Sequence, residues 1–429
     1  MRRTVRLRTR CAYFAMAKTQ RWLCVATLAS IVACGGGADV NALGPDLTDP
    51  RSDTTSTTTA SDSAQWTFTG SPASPLPFDE AGWDVQVHSR DAATWSAPEP
   101  LQAHHASDCG PHPGTHAITR WEQVVYRCRD HIMTALRTDG YGAIILTPDR
   151  ALQIGGADAV VRFDLSTLRT STRDWATIWL VPWADDLPVP GGEFAPDLNG
   201  PPRRAIAIEM TSNGNFCAIV YSNFESTELP CEDWQPLTTH VTPSATTRTP
   251  VEIRIANGRL RVGYPTLNVW TVDAALPADA ASITQAVVRL AHYSYTPGKC
   301  DGCSPGMTWH WDNLRIAPSR PFVIARGNVR AIRATVPTPV TFAAASPAGA
   351  VLRFTTIGRN AEVSFDDGLT WRAAAAPSIA RSNDPIRPVV MAVPTGTTRV
   401  IVRPAALITW WPNRDEWIAQ DFAIWGPPR

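Results

Sequence analysis

The sequence has no excess of basic residues. Its 39 Lys and Arg residues equal its 39 Asp and Glu residues, and seven of the basic ones lie within residues 1–33. Without those seven, 32 basic residues remain against 39 acidic ones, a net charge of −7. A nucleic-acid-binding protein needs the opposite sign. The charge balance therefore argues against nucleic acid as a partner.

Disorder and collagen-like structure are also excluded for the chain as a whole. The sequence has 429 residues, of which 44% are hydrophobic, so it can bury a core. This length leaves room for two or three domains.

The N-terminus also lacks a run long enough to span a bilayer. Residues 22–33 are apolar and follow a basic segment that ends at Arg21, but a membrane helix needs about 20 such residues. Because this apolar run is short and ends in small residues, it predicts a signal peptide over residues 1–33, with Met16 as an alternative start. The four residues ending at Cys34, Ile-Val-Ala-Cys, resemble the lipobox of bacterial lipoproteins. This resemblance implies that Cys34 is lipidated and anchors the protein to a membrane of the bacterial cell envelope; the alternative is ordinary signal cleavage.

Residues 34–65 have almost no large apolar side chains. They consist mainly of Gly, Ala, Asp, Ser and Thr. Such a segment cannot repay the entropy lost on ordering, so it predicts a flexible tether.

The cysteine count fits an exported protein. After signal removal and lipidation, six cysteines remain: Cys109, Cys128, Cys217, Cys231, Cys300 and Cys303. An even number in an oxidising compartment predicts disulfides, and pairing of nearest neighbours would join them two by two in that order. Six cysteines allow fifteen pairings, so the connectivity is a hypothesis. A zinc site at the last two would need a second, similarly spaced pair, which the sequence lacks.

Residues 66–318 show short strands separated by turns. Residues 251–255 and 260–262 alternate apolar with polar side chains, and Asn257-Gly258 between them predicts a tight hairpin. Further strands are predicted at residues 143–147, 159–165, 176–181, 204–210, 216–222, 285–295 and 308–316. We also expect a short helix over residues 121–128 and a strand over residues 131–136. The number of strands predicts a two-sheet sandwich.

Two segments carry a family resemblance. Residues 251–262 (VEIRIANGRLRV) and residues 309–316 (WHWDNLRI) resemble strand motifs of the concanavalin A-like lectin and glucanase superfamily. The resemblance implies an all-β fold, a concanavalin A-like jelly-roll sandwich over residues 66–318. It also implies binding or cleavage of polysaccharide on a concave face.

The chain lacks the acidic motif of glucanases in that superfamily. Those enzymes carry Glu-x-Asp-x-x-Glu on one strand, whereas Glu209 is followed by Thr211 and Gly214. Hydrolysis of a glycosidic bond uses two carboxylates. The sequence thus favours carbohydrate binding without cleavage, with Glu209 as a candidate ligand-binding residue.

Three tryptophans and two histidines are further candidates for ligand binding. Trp175, Trp179 and Trp183 would share one face of a strand, where they could stack on sugar rings or pack in the core. His116 and His131 would be brought together by a Cys109–Cys128 bridge and could form a metal site or a proton relay. The alternative is a surface loop with one packed histidine.

Asp312 is the candidate ligand for a structural calcium ion. Many sugar-binding jelly rolls hold such an ion beside the closing strand, and Asp79 or Glu80 could be its partner. An equally good interpretation is an Asp that caps a turn through hydrogen bonds.

A second, smaller β-sandwich is predicted over residues 319–429. Strands are expected at residues 340–344, 350–356, 361–365, 389–393, 398–403 and 421–425. Residues 364–371 (SFDDGLTW) match the Asp-box, a hairpin in which the Asp bonds the turn. A single copy predicts the hairpin but no sialidase activity.

Three functions remain open from the sequence. The first is a lipid-anchored envelope protein that binds carbohydrate without cutting it. The second is a divergent glycoside hydrolase or polysaccharide lyase. The third is a structural protein that interacts with other envelope components.

Overall fold

The computed structural model describes seventeen segments of the chain. They are residues 63–68, 76–77, 82–89, 123–128, 130–136, 141–155, 158–167, 174–183, 202–211, 216–231, 237–241, 247–295, 308–329, 331–357, 359–374, 386–405 and 417–427. All of these segments belong to one compact unit. Within the described segments, no helix is long and apolar enough to cross a membrane.

The first eighteen described strands form two antiparallel sheets. They are β1 (Ala64–Trp66), β2 (Leu76–Pro77), β3 (Trp83–Ser89), β4 (Gln123–Arg127), β5 (Ile132–Leu136), β6 (Tyr141–Pro148), β7 (Arg150–Gln153), β8 (Ala159–Thr167), β9 (Asp174–Pro182), β10 (Arg204–Thr211), β11 (Phe216–Ser222), β12 (Glu225–Glu228), β13 (Thr249–Ala256), β14 (Arg259–Tyr264), β15 (Val269–Ala275), β16 (Gln285–Tyr295), β17 (Thr308–Ala317) and β18 (Ser319–Pro321). A short helix, α1 (Ala278–Ala281), and two 3-10 turns, Leu237–Thr239 and Pro265–Leu267, connect them.

Each of the two sheets has nine strands. Sheet A has the order β15-β14-β13-β8-β17-β5-β4-β2, and β1 pairs with β17. Sheet B has the order β12-β11-β10-β9-β16-β6-β3, with β7 on β16 and β18 on β7. Phe163 and Ile253 of sheet A lie in one buried cluster with Ile178 and Ile208 of sheet B. The two sheets therefore pack face to face, as in the predicted sandwich.

The predicted hairpin is confirmed. Strands β13 and β14 pair with Ile255 opposite Leu260, and the turn residues Asn257 and Gly258 have φ of 50° and 70°. A β-branched residue would be strained there, whereas Asn and Gly adopt a positive φ readily.

The predicted helix over residues 121–128 is wrong. Residues 123–127 form strand β4, which pairs with β5 through Val124 opposite Ala135 and Tyr126 opposite Met133. The pairing satisfies the backbone groups of both strands, and this tertiary contact overrides the helical spacing of the apolar residues.

The remaining nine described strands form two smaller sheets. They are β19 (Ile324–Arg326), β20 (Ala331–Ile332), β21 (Thr338–Thr341), β22 (Val351–Ile357), β23 (Ala361–Ser364), β24 (Arg372–Ala374), β25 (Ile386–Ala392), β26 (Arg399–Pro404) and β27 (Ile418–Trp425). One sheet has the order β19-β27-β22-β25 with β20 on β27, and the other has the order β21-β26-β23-β24. Leu352 and Ile424 of the first sheet share a buried cluster with Val363 and Val402 of the second. The all-β class and the second, smaller sandwich are thus confirmed.

The Asp-box forms the hairpin between β23 and β24. The Asp366 carboxylate accepts hydrogen bonds from the Thr370 N–H at 2.8 Å and from the Ser364 hydroxyl at 2.7 Å. The Gly368 N–H donates to the Ser364 hydroxyl at 2.8 Å. These bonds hold a turn in which Asp367 has a φ of 56°, so the motif acts here as a structural device.

Candidate functional site

The outer face of sheet B carries a group of aromatic side chains. On β9, Ala176, Ile178 and Leu180 point into the core between the sheets, so alternation turns the other residues outward. Cross-strand pairing places the outward residues of β9, β10, β11 and β16 side by side. We call this set the aromatic face; its members are Trp175, Trp179, Glu209, Tyr221 and Tyr293.

The rings of the aromatic face contact one another. Trp175 stacks on Tyr293 with centroids 5.4 Å apart and planes 19° from parallel. Trp179 donates its indole N–H to the Tyr293 hydroxyl at 2.9 Å and packs on Tyr221 at 5.6 Å. Trp179 and Tyr293 are fully buried, whereas Trp175 and Glu209 are half-buried. The partly exposed residues of the face are therefore Trp175 and Glu209, on adjacent strands, with Trp175 Nε1 and Glu209 Oε1 themselves buried.

Glu209 is flanked on its own face by alanines. Ala205 and Ala207 precede it by four and two residues, so the three share one side of β10. Its partner across the sheet is Cys217, which forms a disulfide with Cys231. Glu209 is the one acidic residue of β10.

The third predicted tryptophan lies elsewhere. Trp183 packs on Phe322 at 5.1 Å and on Trp425 at 6.4 Å, in a buried cluster that joins the two sandwiches. Its ring therefore contributes to the contact between sandwiches, and only Trp175 and Trp179 share the aromatic face.

A chain of hydrogen-bonded polar groups lies on the outer face of sheet A. His131 Nδ1 is 2.7 Å from Asp130 Oδ1, and His131 Nε2 is 2.8 Å from His310 Nδ1. An ionised carboxylate only accepts, so His131 donates through Nδ1 and, when neutral, accepts through Nε2 from His310. Both histidines are buried. The arrangement is a directed relay from His310 through His131 to Asp130.

The electrostatics of this relay keep its histidines neutral. Burial lowers the pKa of His131 and lowers that of His310 well below the usual value, and for His310 the neighbouring His131 adds to the effect. The hydrogen bond from His131, supported by Arg248, lowers the pKa of Asp130. Arg248 Nη2 lies 2.8 Å from Asp130 Oδ2. At neutral pH the relay therefore holds an ionised Asp130 and two neutral imidazoles.

Asp312 belongs to the same cluster. Its carboxylate accepts a hydrogen bond from Arg248 at 3.3 Å and from the backbone N–H of Asn313 at 2.7 Å. Asn313 has a φ of 49° and donates through its side chain to Asp164 at 2.7 Å. Asp312 thus caps a local turn at the β17 bulge, the interpretation that the sequence left open beside calcium. Among the described residues, no group of three or more potential ligands is arranged to hold a metal ion.

Several predicted residues lie outside the described segments. They are Cys34, Asp79, Glu80, Cys109, His116, Cys300 and Cys303. Of the predicted disulfides, Cys217–Cys231 is confirmed, and Cys128 is also disulfide-bonded.

Sequence reasoning missed three members of the relay cluster. His310 is 179 positions from His131 in the chain, and Arg248 is 118 positions from Asp130. The alternation around Trp309 and Trp311 could have placed His310 on the outer face, but no local signal indicates which residue faces it.

Among known proteins, the chain is similar only to solved structures. No protein-family model matches the chain, and no curated protein matches it. The laminarinase from Rhodothermus marinus is 12% identical, with a TM-score of 0.34 over 58% of this chain and 95% of that one. The carbohydrate binding module CBM66 from Bacillus subtilis is 8% identical, with a TM-score of 0.26 over 43% of this chain and 86% of that one. The Emp46p carbohydrate recognition domain is 10% identical, with a TM-score of 0.31 over 46% and 86%.

Proposed function

We propose that the protein is a lipid-anchored component of the bacterial cell envelope whose larger sandwich binds carbohydrate without cleaving it. The observation that carries the proposal is the half-buried Trp175 ring, stacked on Tyr293 and beside Glu209 on the outer face of sheet B. An aromatic ring packs against the apolar C–H face of a sugar. A carboxylate accepts hydrogen bonds from sugar hydroxyl groups.

The stacking of Trp175 on the buried Tyr293 orders the indole ring before a ligand binds. The Tyr293 hydroxyl accepts a hydrogen bond from the indole N–H of Trp179, and both residues are fully buried. A ring that is already ordered loses little conformational entropy when a ligand stacks on it. The alanines at 205 and 207 leave Glu209 without a second carboxylate on its strand, which argues for retention of the glycan rather than hydrolysis.

The test compares two half-buried tryptophans in different sandwiches. Trp175→Ala should weaken binding of a neutral β-glucan by tenfold or more in calorimetry, because a central ring behaves as a hot spot. Trp371→Ala, in the smaller sandwich, is the matched control, since Trp371 is also half-buried, and it should leave that affinity unchanged. Circular dichroism should show both variants folded. Equal affinities for the wild type and a folded Trp175→Ala would remove the aromatic face from the site.

A second candidate function has its own observation. The Asp130–His131–His310 relay can move a proton, so a divergent glycoside hydrolase or polysaccharide lyase is the alternative. This alternative predicts release of reducing ends or unsaturated products from a polysaccharide panel, and loss of that activity in His310→Gln. Turnover by the wild type would overturn the non-catalytic proposal.

The membrane anchor is tested separately. Cys34→Ala should abolish incorporation of labelled palmitate and leave an uncleaved or soluble product, because lipidation needs the thiol. Unchanged labelling of that variant would contradict the lipoprotein assignment.

A further inference from the structure

The outer face of sheet A, away from the histidine relay, is open and rich in arginine. Val161 and Phe163 of β8 point into the core, as do Ile253 of β13 and Val262 of β14, so the residues between them point outward. We call this set the arginine face; its members are Arg162, Arg254, Arg261, Trp270 and Arg315. All five are half-buried or exposed.

Two of these arginines are already paired with carboxylates. Arg254 donates to Glu252 at 3.0 Å and lies 3.3 Å from Asp158. Arg261 lies 3.4 Å from Asp273 and covers the Trp270 ring at 4.0 Å from its centroid. These contacts neutralise the centre and the β15 side of the face.

The other two arginines are directly opposite each other. Arg315 of β17 is the cross-strand neighbour of Arg162 of β8, and neither makes an ion pair within the part of the chain that the structure describes. Like charges at opposed positions destabilise an antiparallel pair. A pair of unneutralised guanidinium groups thus stands on an exposed sheet face, where an anion placed between them would remove the repulsion.

The pairing register extends this site into a row. Arg315, Arg162, Glu252, Gly263 and Trp270 are successive neighbours across five strands. At about 4.8 Å between strands, the row is about 19 Å long. At Gly263 an added Cβ would clash with the Val269 carbonyl oxygen, so the β15 backbone forms the surface of the row between Glu252 and the Trp270 ring. The row therefore suits an extended polymer more than a compact ion.

We propose that the arginine face is a second carbohydrate site, which binds a polysaccharide bearing carboxylate or sulfate groups. The planar guanidinium groups of Arg162 and Arg315 match such groups with two parallel hydrogen bonds. Trp270 offers a ring edge to the sugar at the far end of the row. The inference relies on the proposed function for the choice of a carbohydrate, but its residues lie on the opposite sheet from Trp175.

The test uses the full chain and a double variant. Arg162→Gln/Arg315→Gln should weaken binding of polygalacturonate by tenfold or more in affinity electrophoresis and calorimetry. Wild-type binding should weaken as NaCl is raised from 50 to 200 mM, because exposed charges are screened. Arg320→Gln is the matched control, since Arg320 is an exposed arginine on β18 of the other sheet, and it should bind as the wild type does.

The outcomes distinguish the aromatic face from the arginine face, and binding of a neutral polysaccharide from binding of an acidic one. A neutral β-glucan should bind the double variant and the wild type alike, and polygalacturonate should bind Trp175→Ala and the wild type alike. Unchanged polygalacturonate affinity in the folded double variant, or in the single variant Arg315→Gln if the double variant does not fold, would overturn the proposal. Equal or tighter binding of single-stranded DNA or phosphatidylglycerol vesicles would also overturn it, by showing a general anion surface. If the wild type binds polygalacturonate but not the neutral β-glucan, the proposed site on the aromatic face is wrong, whereas the proposed site on the arginine face is supported.

Discussion

The two outer faces of the larger sandwich differ although the same alternation builds both. On sheet B most outward residues are aromatic or apolar, with Trp179 and Tyr293 fully buried. On sheet A they are charged, with Arg315 exposed and Trp270 half-buried beneath Arg261. A period of two fixes which residues share a face, but what covers that face decides whether an aromatic ring is core or surface.

The largest expected difference concerns two tryptophans. Trp179→Ala should lower the free energy of unfolding by about 3–5 kcal/mol, because it removes a buried ring and its hydrogen bond to Tyr293. Trp270→Ala should cost less than about 1.5 kcal/mol, because the ring is partly hydrated in the folded state. Urea denaturation of both variants is the measurement. Similar losses in the two variants would erase the distinction between the faces.

The sequence predicts the faces better than it predicts the sites. The alternation around Trp175 and Trp179 correctly places both rings on one face of the strand, and Asn257-Gly258 correctly locates a hairpin because its turn geometry is a local property. Burial of Trp179 depends on residues distant in the chain, so the choice between sugar stacking and core packing stayed open.

The other site residues could not be predicted because they meet through contacts between strands that are distant in the sequence. The His131–His310 bond and the Arg162–Arg315 opposition depend on which strands are neighbours of β17. Local patterns identify strands but do not order them in a sheet. The misassigned helix at residues 121–128 has the same origin, since β4 is stabilised by its pairing with β5.

Carboxylates also distinguish the two sheets. On sheet B, burial raises the pKa of Asp149 to about 6, so the folded state holds a proton that the unfolded state releases near pH 4. Stability is lost as the pH rises from about 4 to about 6. Asp149→Asn should therefore stabilise the protein at pH 7 by about 1–3 kcal/mol, with the gain gone below about pH 4.

The control for this prediction lies on sheet A. Asp158 is exposed and paired with Arg254, so Asp158→Asn should change the free energy of unfolding by less than about 0.5 kcal/mol at pH 7. Denaturation with urea at pH 7 and pH 4 measures both variants. An Asp149→Asn gain that persists at pH 4 would show that its origin is not the buried charge.

Acid sensitivity should be found at the relay end of sheet A. The pKa of His310 is lowered by burial and by His131, so below about pH 6.5 the unfolded state binds a proton that the folded state does not. Stability then falls with decreasing pH by up to about 1.4 kcal/mol per unit. The stability difference between the wild type and His310→Gln should narrow from pH 6.5 to 5 and stay constant from pH 7.5 to 6.5. A difference that stays constant across the whole range would contradict a neutral buried His310.

The smallest expected effect is the coupling energy between Arg261 and Trp270 on the arginine face. Arg261 lies over the Trp270 ring, and such a contact at a partly exposed site contributes about 0.5–1 kcal/mol. A double-mutant cycle of Arg261→Gln and Trp270→Leu, measured by urea denaturation, should give a coupling energy of that size, because the cycle cancels the loss of the Arg261–Asp273 pair. The same cycle with Arg259→Gln is the control, since Arg259 also pairs with Asp273, and the two changes should add within about 0.5 kcal/mol. A coupling of zero in the first cycle would mean that the Trp270 ring and the Arg261 guanidinium do not stabilise each other.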